Sequence, residues 1–318
     1  MFFFIIGFVL LYFLLQQIQL SELYHLILTV QPQYLLLGAL VYLCKASIRA
    51  IRLLRINNLP NKDWIRAFRL TLATSLASQV FPFKLGEFTY IYLLKKDQRL
   101  SVTEGISSLL VTRIWDMMAI SVLFVAFTIF IGFFPTMSVY FYAILIFLCA
   151  LLFCTIALIA LSHSATRFVH YSELLKTRIP IPIFIRILEG IRRVIHILGG
   201  YRLREYGEWI VWALLEWGIN YIAYHILMLG IGLNPSFFAT VTAVSFAALA
   251  NVLPINSFGS FGIQEAGWAT GLVALGYQQT VAITSGFATH LLTLMFIAIS
   301  GVVAWFTYSF DKNEKNPL

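Results

Sequence analysis

Charged residues are scarce in this sequence: they make up 11% of its 318 residues, whereas 60% are hydrophobic. So little charge argues against a separate water-soluble catalytic domain, which would need a polar surface. The mean hydropathy is +0.86, and several apolar runs reach the length of about 20 residues that a helix needs to cross a bilayer. We therefore predict an all-α, polytopic helical membrane protein.

Cysteine is also rare, since only Cys44, Cys149 and Cys154 occur, each within an apolar segment. Their number and spacing indicate neither a set of disulfide bonds nor a zinc site. The sequence has no phosphate-binding glycine loop of the Walker type, no HExxH motif and no GxSxG motif. These absences argue against ATP-driven transport and against hydrolase chemistry within the chain. We therefore expect that the protein is not an enzyme and that it binds neither a metal nor a cofactor.

Acidic residues are fewer than basic ones, 14 against 22, which gives a net charge of +8. The basic residues flank apolar segments, so we expect contact with anionic lipid headgroups and not with nucleic acid. The loops near 20–32, 132–136, 232–235 and 276–278 contain no lysine or arginine. The positive-inside rule then places the other loops and both termini in the cytoplasm, with the chain in the plasma (inner) membrane. Residues Met1 to Leu15, within the apolar run at 1–19, are interpreted as a short, retained first span.

Two apolar segments, near 64–94 and 236–275, are interrupted by proline and glycine. Pro82 breaks the first segment and Pro254 breaks the second. Broken backbone at membrane depth is tolerated only where it is buried in protein or lines a wet cavity. A pair of such breaks in corresponding halves is a pointer to the binding site of a transporter.

The loop charges predict that the first broken segment enters the membrane from the cytoplasm and the second from outside. We therefore expect two opposed re-entrant hairpins that form an inverted repeat. Two full spans remain an alternative for the second segment, because 236–253 is almost long enough to cross. The single membrane domain then consists of a first half at 1–162, an amphipathic cytoplasmic connector at 163–206 and a second half at 207–318.

Short matching motifs support the repeat. Each break begins with an amide side chain, two apolar residues and proline, and continues with glycine and glutamate. The residues at matching positions are Gln79 and Asn251, then Glu87 and Glu265, and, about 25 positions further on, Arg113 and His290.

Charged side chains inside apolar segments are the candidate site residues. Each costs about 2.5–3.5 kcal/mol at the bilayer centre, so it usually faces a partner or water. Lys84 and Glu87 in the first break, and Glu265 after the second, are the favoured contacts for a substrate. Arg113 and Asp116 lie one turn apart on one helix face, where they either pair with each other or serve a substrate.

Arg49 and Arg52 share a face near the end of the second apolar run. They either anchor the chain at the cytoplasmic surface or bind a lipid phosphate, which guanidinium groups hold bidentately. Glu216 and His225 are interpreted as ordinary buried polar groups. The full set of candidate substrate-binding residues is Lys84, Glu87, Arg113, Asp116, Glu265, Arg49, Arg52, Asn251, Gln79 and His290.

Three motifs occur together in this chain. They are Pro82-x-Lys84-x-Gly86-Glu87, Arg113-x-x-Asp116, and Leu253-Pro254 followed by Gly259, Gly262 and Glu265. Together they resemble the flippase-like membrane domain of lysylphosphatidylglycerol synthases, over nearly the whole chain from Arg49 to about Gly301. The chain departs from the family pattern at three positions. Lys84 stands where the family has an arginine, Thr112 stands where it has a glutamate, and His290 stands where it has an arginine in the last span.

The resemblance implies a stand-alone member without the synthase domain, which moves a polar-headed lipid between leaflets. The lipid is expected to be an anionic or aminoacylated phospholipid, or one linked to polyprenyl phosphate. One alternative is an intramembrane enzyme or accessory subunit acting on lipid-linked sugars, with Glu87 and Glu265 as acid and base. Another is a small-solute carrier. A separate lipid-modifying enzyme and a second copy of the chain stay open as partners.

Overall fold

The structure of the chain is a computed structural model, and the described part of it is helical. It describes residues 2–81, 85–97, 100–131, 139–162, 189, 194–195, 197–199, 201–252 and 258–313. The helices are α1 (Phe2–Leu15), α2 (Leu20–Leu28), α3 (Pro32–Ile56), α4 (Trp64–Val80), α5 (Gly86–Asp97), α6 (Val102–Ile131), α7 (Val139–Ser162), α8 (Leu203–Gly230), α9 (Phe237–Ala250), α10 (Ile263–Ala274) and α11 (Gln279–Asn313). Short 3₁₀ turns occupy Asn61–Asp63 and Phe258–Ser260.

Five of the described helices are long and apolar enough to cross a membrane: α3, α6, α7, α8 and α11. They coincide with five apolar runs of the sequence, near 33–56, 104–133, 136–162, 207–232 and 279–308. Their exposed surfaces carry large apolar side chains such as Leu36, Phe130 and Phe153, which in water would be unfavourable. The prediction of an all-helical chain with several membrane-length helices is thus confirmed.

The first helix, α1, falls within the segment Met1 to Leu15 that was interpreted as a short first span. Helix α1 ends at Leu15, and α2 begins only at Leu20. The interruption falls at Gln16 and Gln17, where two amide side chains end the apolar run. At about 1.5 Å per residue, the 14 residues of α1 extend roughly 21 Å, less than the bilayer core of about 30 Å.

Both predicted interruptions separate two helices. Helix α4 ends at Val80 and α5 begins at Gly86, whereas α9 ends at Ala250 and α10 begins at Ile263. The prolines at 82 and 254 and the candidate residue Lys84 lie outside the described residues. The four flanking helices contain 17, 12, 14 and 12 residues, fewer than the roughly 20 needed for a full span.

Glycines allow the two arms of each interrupted segment to pack closely. A Cβ on Gly86 would lie 2.3 Å from the Cα of Ser78, so α5 lies directly against α4. A Cβ on Gly267 would lie 2.6 Å from the carbonyl oxygen of Phe246, so α10 lies equally close to α9. Small residues at such contacts let helix backbones approach. Each segment therefore folds back on itself as a helical pair.

Contacts between distant parts of the chain assemble the rest of the fold. Helix α3 packs along α8, and α11 packs against α4 and α10. The turn at Phe258–Ser260 also contacts α4, which brings the two interrupted segments close together. The connector predicted at 163–206 lies mostly outside the described residues, so its amphipathic helix stays a prediction.

Candidate functional site

A buried network of charges joins three of the membrane-length helices. Arg52 of α3 is 1% exposed, and its Nη2 lies 2.7 Å from Oδ1 of Asp116 on α6. Its Nη1 lies 3.1 Å from Oε2 of Glu216 on α8. Arg49 donates from Nε to Oε1 of the same glutamate at 2.7 Å. Two carboxylates are what a buried guanidinium needs, because an unpaired charge would be strongly destabilising.

Arg113 does not pair with Asp116, so, of the two alternatives for these residues, the one in which they pair with each other is wrong. Arg113 donates from Nη2 to Oε1 of Glu87 on α5 at 2.5 Å. Asp116 contacts Arg52 and accepts a hydrogen bond from the indole N–H of Trp217 at 3.2 Å. The reason is packing: Asp116 is buried between α3 and α8, whereas the side chain of Arg113 is 55% exposed and lies against α5.

The second half contains the corresponding contact. Glu265 is fully buried and accepts a hydrogen bond from the backbone N–H of Gly262 at 2.7 Å. It also accepts one from Nδ1 of His290 on α11. Glu265 and His290 are 25 residues apart, and Glu87 and Arg113 are 26 apart. The spacing noted in the sequence therefore corresponds to two contacts, each between a glutamate after a break and the basic residue of the next long helix.

A cavity of about 270 Å³ lies between these helices. Two of its lining residues are carboxylates, Glu87 and Asp116. Its other polar lining includes Gln79 and the ring of His290, whose buried Nε2 has no hydrogen-bond partner among the described residues. The cationic side chains that line it are Lys45, Arg49, Arg52 and Arg113. This first cavity is thus polar and predominantly basic.

A second cavity of about 170 Å³ adjoins the first. Four residues line both cavities and therefore form their junction: Lys45, Arg49, Tyr224 and Gln264. The ammonium of Lys45 donates to the neutral amide oxygen of Asn220 at 3.1 Å. Within the described part of the chain it makes no ion pair with a carboxylate. Lys45 is consequently a cation at the junction that no described carboxylate contacts directly, and its Nζ lies 5.3 Å from the centre of the Tyr42 ring.

The structure brings most of the predicted site residues together. The first cavity is lined by Arg49, Arg52, Gln79, Glu87, Arg113, Asp116 and His290. Asn251 lines the second cavity instead. Glu265 lines neither; it lies behind His290 and orients that ring. Lys84 is outside the described residues, so its place in the site stays a prediction.

Sequence reasoning missed several residues on α8 and α10. Glu216 was interpreted as an ordinary buried polar group, but it holds two arginines and lines the second cavity. The available signal was a carboxylate in the middle of an apolar helix, which is costly and usually functional. Asn220, Tyr224 and Gln264 carried no such signal, because amides and phenols are common in buried positions.

These observations define the class of the protein: a multi-pass helical membrane protein with a charge-lined polar cavity between its helices. The family model described as Lysylphosphatidylglycerol synthase TM region matches residues 2–301, so the chain belongs to this family. Membership indicates a function related to membrane lipids. No curated protein and no solved structure matches the chain.

Proposed function

We propose that this protein is a flippase-like transporter that moves an anionic lipid between the leaflets of the plasma membrane. The polar headgroup passes through the first cavity while the hydrocarbon tails stay in the bilayer. The observation that carries this proposal is the lining of the cavity: four cationic side chains against two carboxylates, at the meeting point of both interrupted segments. Lys and Arg are the side chains that bind phosphate.

Access to the cations supports a ligand role for some of them. The side chains of Arg49 and Arg113 are 41% and 55% exposed, so a headgroup reaches them without unpacking the helices. Arg52 is fully buried and already paired with two carboxylates. We therefore assign phosphate binding to Lys45, Arg49 and Arg113, and assign Arg52 to holding α3, α6 and α8 together.

The short helices beside each break suit a re-entrant arrangement. With 12 to 17 residues each, the arms reach only part of the way across the bilayer core of about 30 Å. Two such pairs inserted from opposite sides would form the inverted repeat that transporters use for alternating access. The distribution of basic residues among the loops supports an orientation in which both termini are cytoplasmic.

Leaflet exchange in proteoliposomes tests the proposal. Purified protein is reconstituted with fluorescent phosphatidylglycerol, and dithionite quenching from outside reports the lipid that has moved. The test variants are Lys45→Met and Arg113→Gln. The matched control is Arg55→Gln, because Arg55 also lies on α3 but pairs with Glu208 at 3.3 Å on the exposed surface.

We expect exchange by the wild type and by Arg55→Gln, and a loss of about ten-fold or more in each cavity variant, as for a lost hydrogen bond to a charged group. Exchange equal to that of protein-free liposomes would overturn the proposal. Equal exchange by all variants would show that the headgroup does not use this cavity. Conversion of a lipid-linked sugar by the purified protein would favour the enzyme alternative.

A further inference from the structure

The second cavity differs in chemistry from the first. Its lining includes three side-chain amides and two indole rings: Asn220, Asn251, Gln264, Trp217 and Trp268. Both indole N–H groups are already used, one by Asp116 and the other by Ser285. The indoles therefore offer ring faces to a ligand, and the amides offer hydrogen bonds. Apolar rings combined with a few placed polar groups are typical of a small-molecule site.

An unused hydrogen-bonding atom points to the kind of group that fits there. Asn251 donates from Nδ2 to Oε1 of Gln264 at 3.3 Å. Its own Oδ1 is buried and has no partner in the part of the chain that the structure describes. A buried acceptor without a partner is costly, so a donor from a ligand would be favourable. Side-chain amides both donate and accept, as hydroxyl groups do.

The charges of the cavity disfavour an ammonium group. Among the described residues that line it, Glu216 is the only carboxylate, and both of its oxygens face arginines at 2.7 and 3.1 Å. Lys45 and Arg49 line the same cavity and would repel a second cation. An amino group would find aromatic rings here but no free carboxylate.

We infer that the second cavity binds the uncharged, hydroxyl-bearing part of a phospholipid headgroup, a polyol or a sugar, while its phosphate lies at the junction beside Lys45 and Arg49. This inference rests on the proposed function, since it assumes that an anionic lipid headgroup enters the first cavity. It narrows the substrate to phosphate lipids that carry hydroxyl groups.

Binding of a matched lipid panel to the purified full-length protein tests the inference. Native mass spectrometry compares phosphatidic acid, phosphatidylglycerol, phosphatidylinositol and phosphatidylethanolamine with identical acyl chains. Two variants replace residues that line the second cavity and not the first. Asn251→Leu removes the unpartnered amide at similar volume, and Ala248→Leu fills space beside it, because Ala248 lines this cavity and not the first. Gln33→Ala, at an exposed position outside both cavities, is the control.

We expect the wild type and the control to bind the two hydroxylated lipids about five-fold more tightly than phosphatidic acid, as one added hydrogen bond provides. Both cavity variants should lose this preference and still bind phosphatidic acid as the wild type does, which also shows that they fold. Equal binding of phosphatidic acid and the hydroxylated lipids by the wild type overturns the inference alone. So does preferred binding of phosphatidylethanolamine, or an equal loss for all lipids in the variants. Failure of every anionic lipid to bind overturns both the inference and the proposed function.

Discussion

Arg113 donates to Glu87 across 2.5 Å, and in doing so ties the long helix α6 to the second arm of the first interrupted segment. The pair lies at the edge of the first cavity, where the guanidinium is more exposed than the carboxylate. The same relationship recurs between His290 and Glu265, but that pair is buried. The first pair is thus partly exposed, whereas the second is buried, and Nε2 of His290 has no hydrogen-bond partner among the described residues.

Charge reversal at the exposed pair tests its role in transport. Glu87→Arg and Arg113→Glu should each reduce lipid exchange by about ten-fold or more, because each places like charges in contact and removes a charge-assisted hydrogen bond. The double variant, Glu87→Arg with Arg113→Glu, restores the ion pair with the two charges exchanged between the helices. We expect it to recover the thermal stability but not the full exchange rate, measured by dithionite quenching. Full recovery of exchange would mean that the pair acts only as a structural link.

The buried network predicts unequal effects of two arginines on one helix. Arg52→Leu leaves Asp116 and Glu216 as buried carboxylates without their central partner, which should destabilise the protein by about 3–5 kcal/mol. Arg55→Leu breaks an ion pair with Glu208 whose side chains are 42% and 41% exposed, and should cost less than about 1 kcal/mol. Thermal unfolding of both variants in the same detergent provides the comparison.

A rescue distinguishes charge from packing in that network. When Arg52→Leu is combined with Asp116→Asn, the carboxylate left unpaired is removed, and Glu216 keeps its ion pair with Arg49 at 2.7 Å. Most of the lost stability should then return, because the penalty arises from unpaired charge. Similar unfolding temperatures for Arg52→Leu and Arg55→Leu would contradict the role assigned to the network.

Glu265 should matter for stability through its two hydrogen bonds. Glu265→Ala leaves the N–H of Gly262 and Nδ1 of His290 without an acceptor inside the protein, at a cost of about 1–3 kcal/mol for each buried group. Glu265→Gln keeps an acceptor oxygen and should retain more stability. The unfolding temperatures of the two variants check this order, and an alanine variant as stable as the glutamine variant would refute it.

Close helix packing in the second interrupted segment depends on Gly267. Gly267→Ala should destabilise the protein by roughly 1–3 kcal/mol, since the new methyl group would meet the backbone of α9. Gly218 is a matched control in α8, with no atom within 4 Å of an added Cβ. Gly218→Ala should be neutral or stabilising by up to about 1 kcal/mol, because alanine favours helix. Two alanine variants with the same unfolding temperature would contradict the packing argument.

Much of the helical organisation follows from local signals. Apolar length predicts α3, α6, α7, α8 and α11, because a span is defined by a continuous run of residues. Proline and glycine predict both interruptions, since each acts on the backbone within a turn of its own position. The end of α1 at Leu15 also follows from a local signal, because the apolar run gives way there to Gln16 and Gln17.

The pairing of charges was predicted less well, and the reason is distance along the chain. The spacing of three residues suggested that Arg113 and Asp116 form an ion pair on one helix face. Instead, each of them contacts a residue on another helix. Lys45 meets Asn220 across 175 residues, and Arg49 meets Glu216 across 167. Such contacts depend on which helices pack together. A single sequence does not reveal this, because the apolar faces of several helices are alike.

The amino-acid pattern alone was sufficient to predict a membrane protein of long helices, with two segments that are broken beside polar residues. Composition and local breakers are sufficient for that, because the bilayer permits few other backbone arrangements. The arrangement of those polar residues around two adjoining cavities, one basic and one rich in amides and indoles, became visible only in the folded chain. The two cavities arise because α3 packs against α8 and because the two helices of each broken segment pack together. These contacts join residues that are distant along the chain, so local sequence patterns do not predict them.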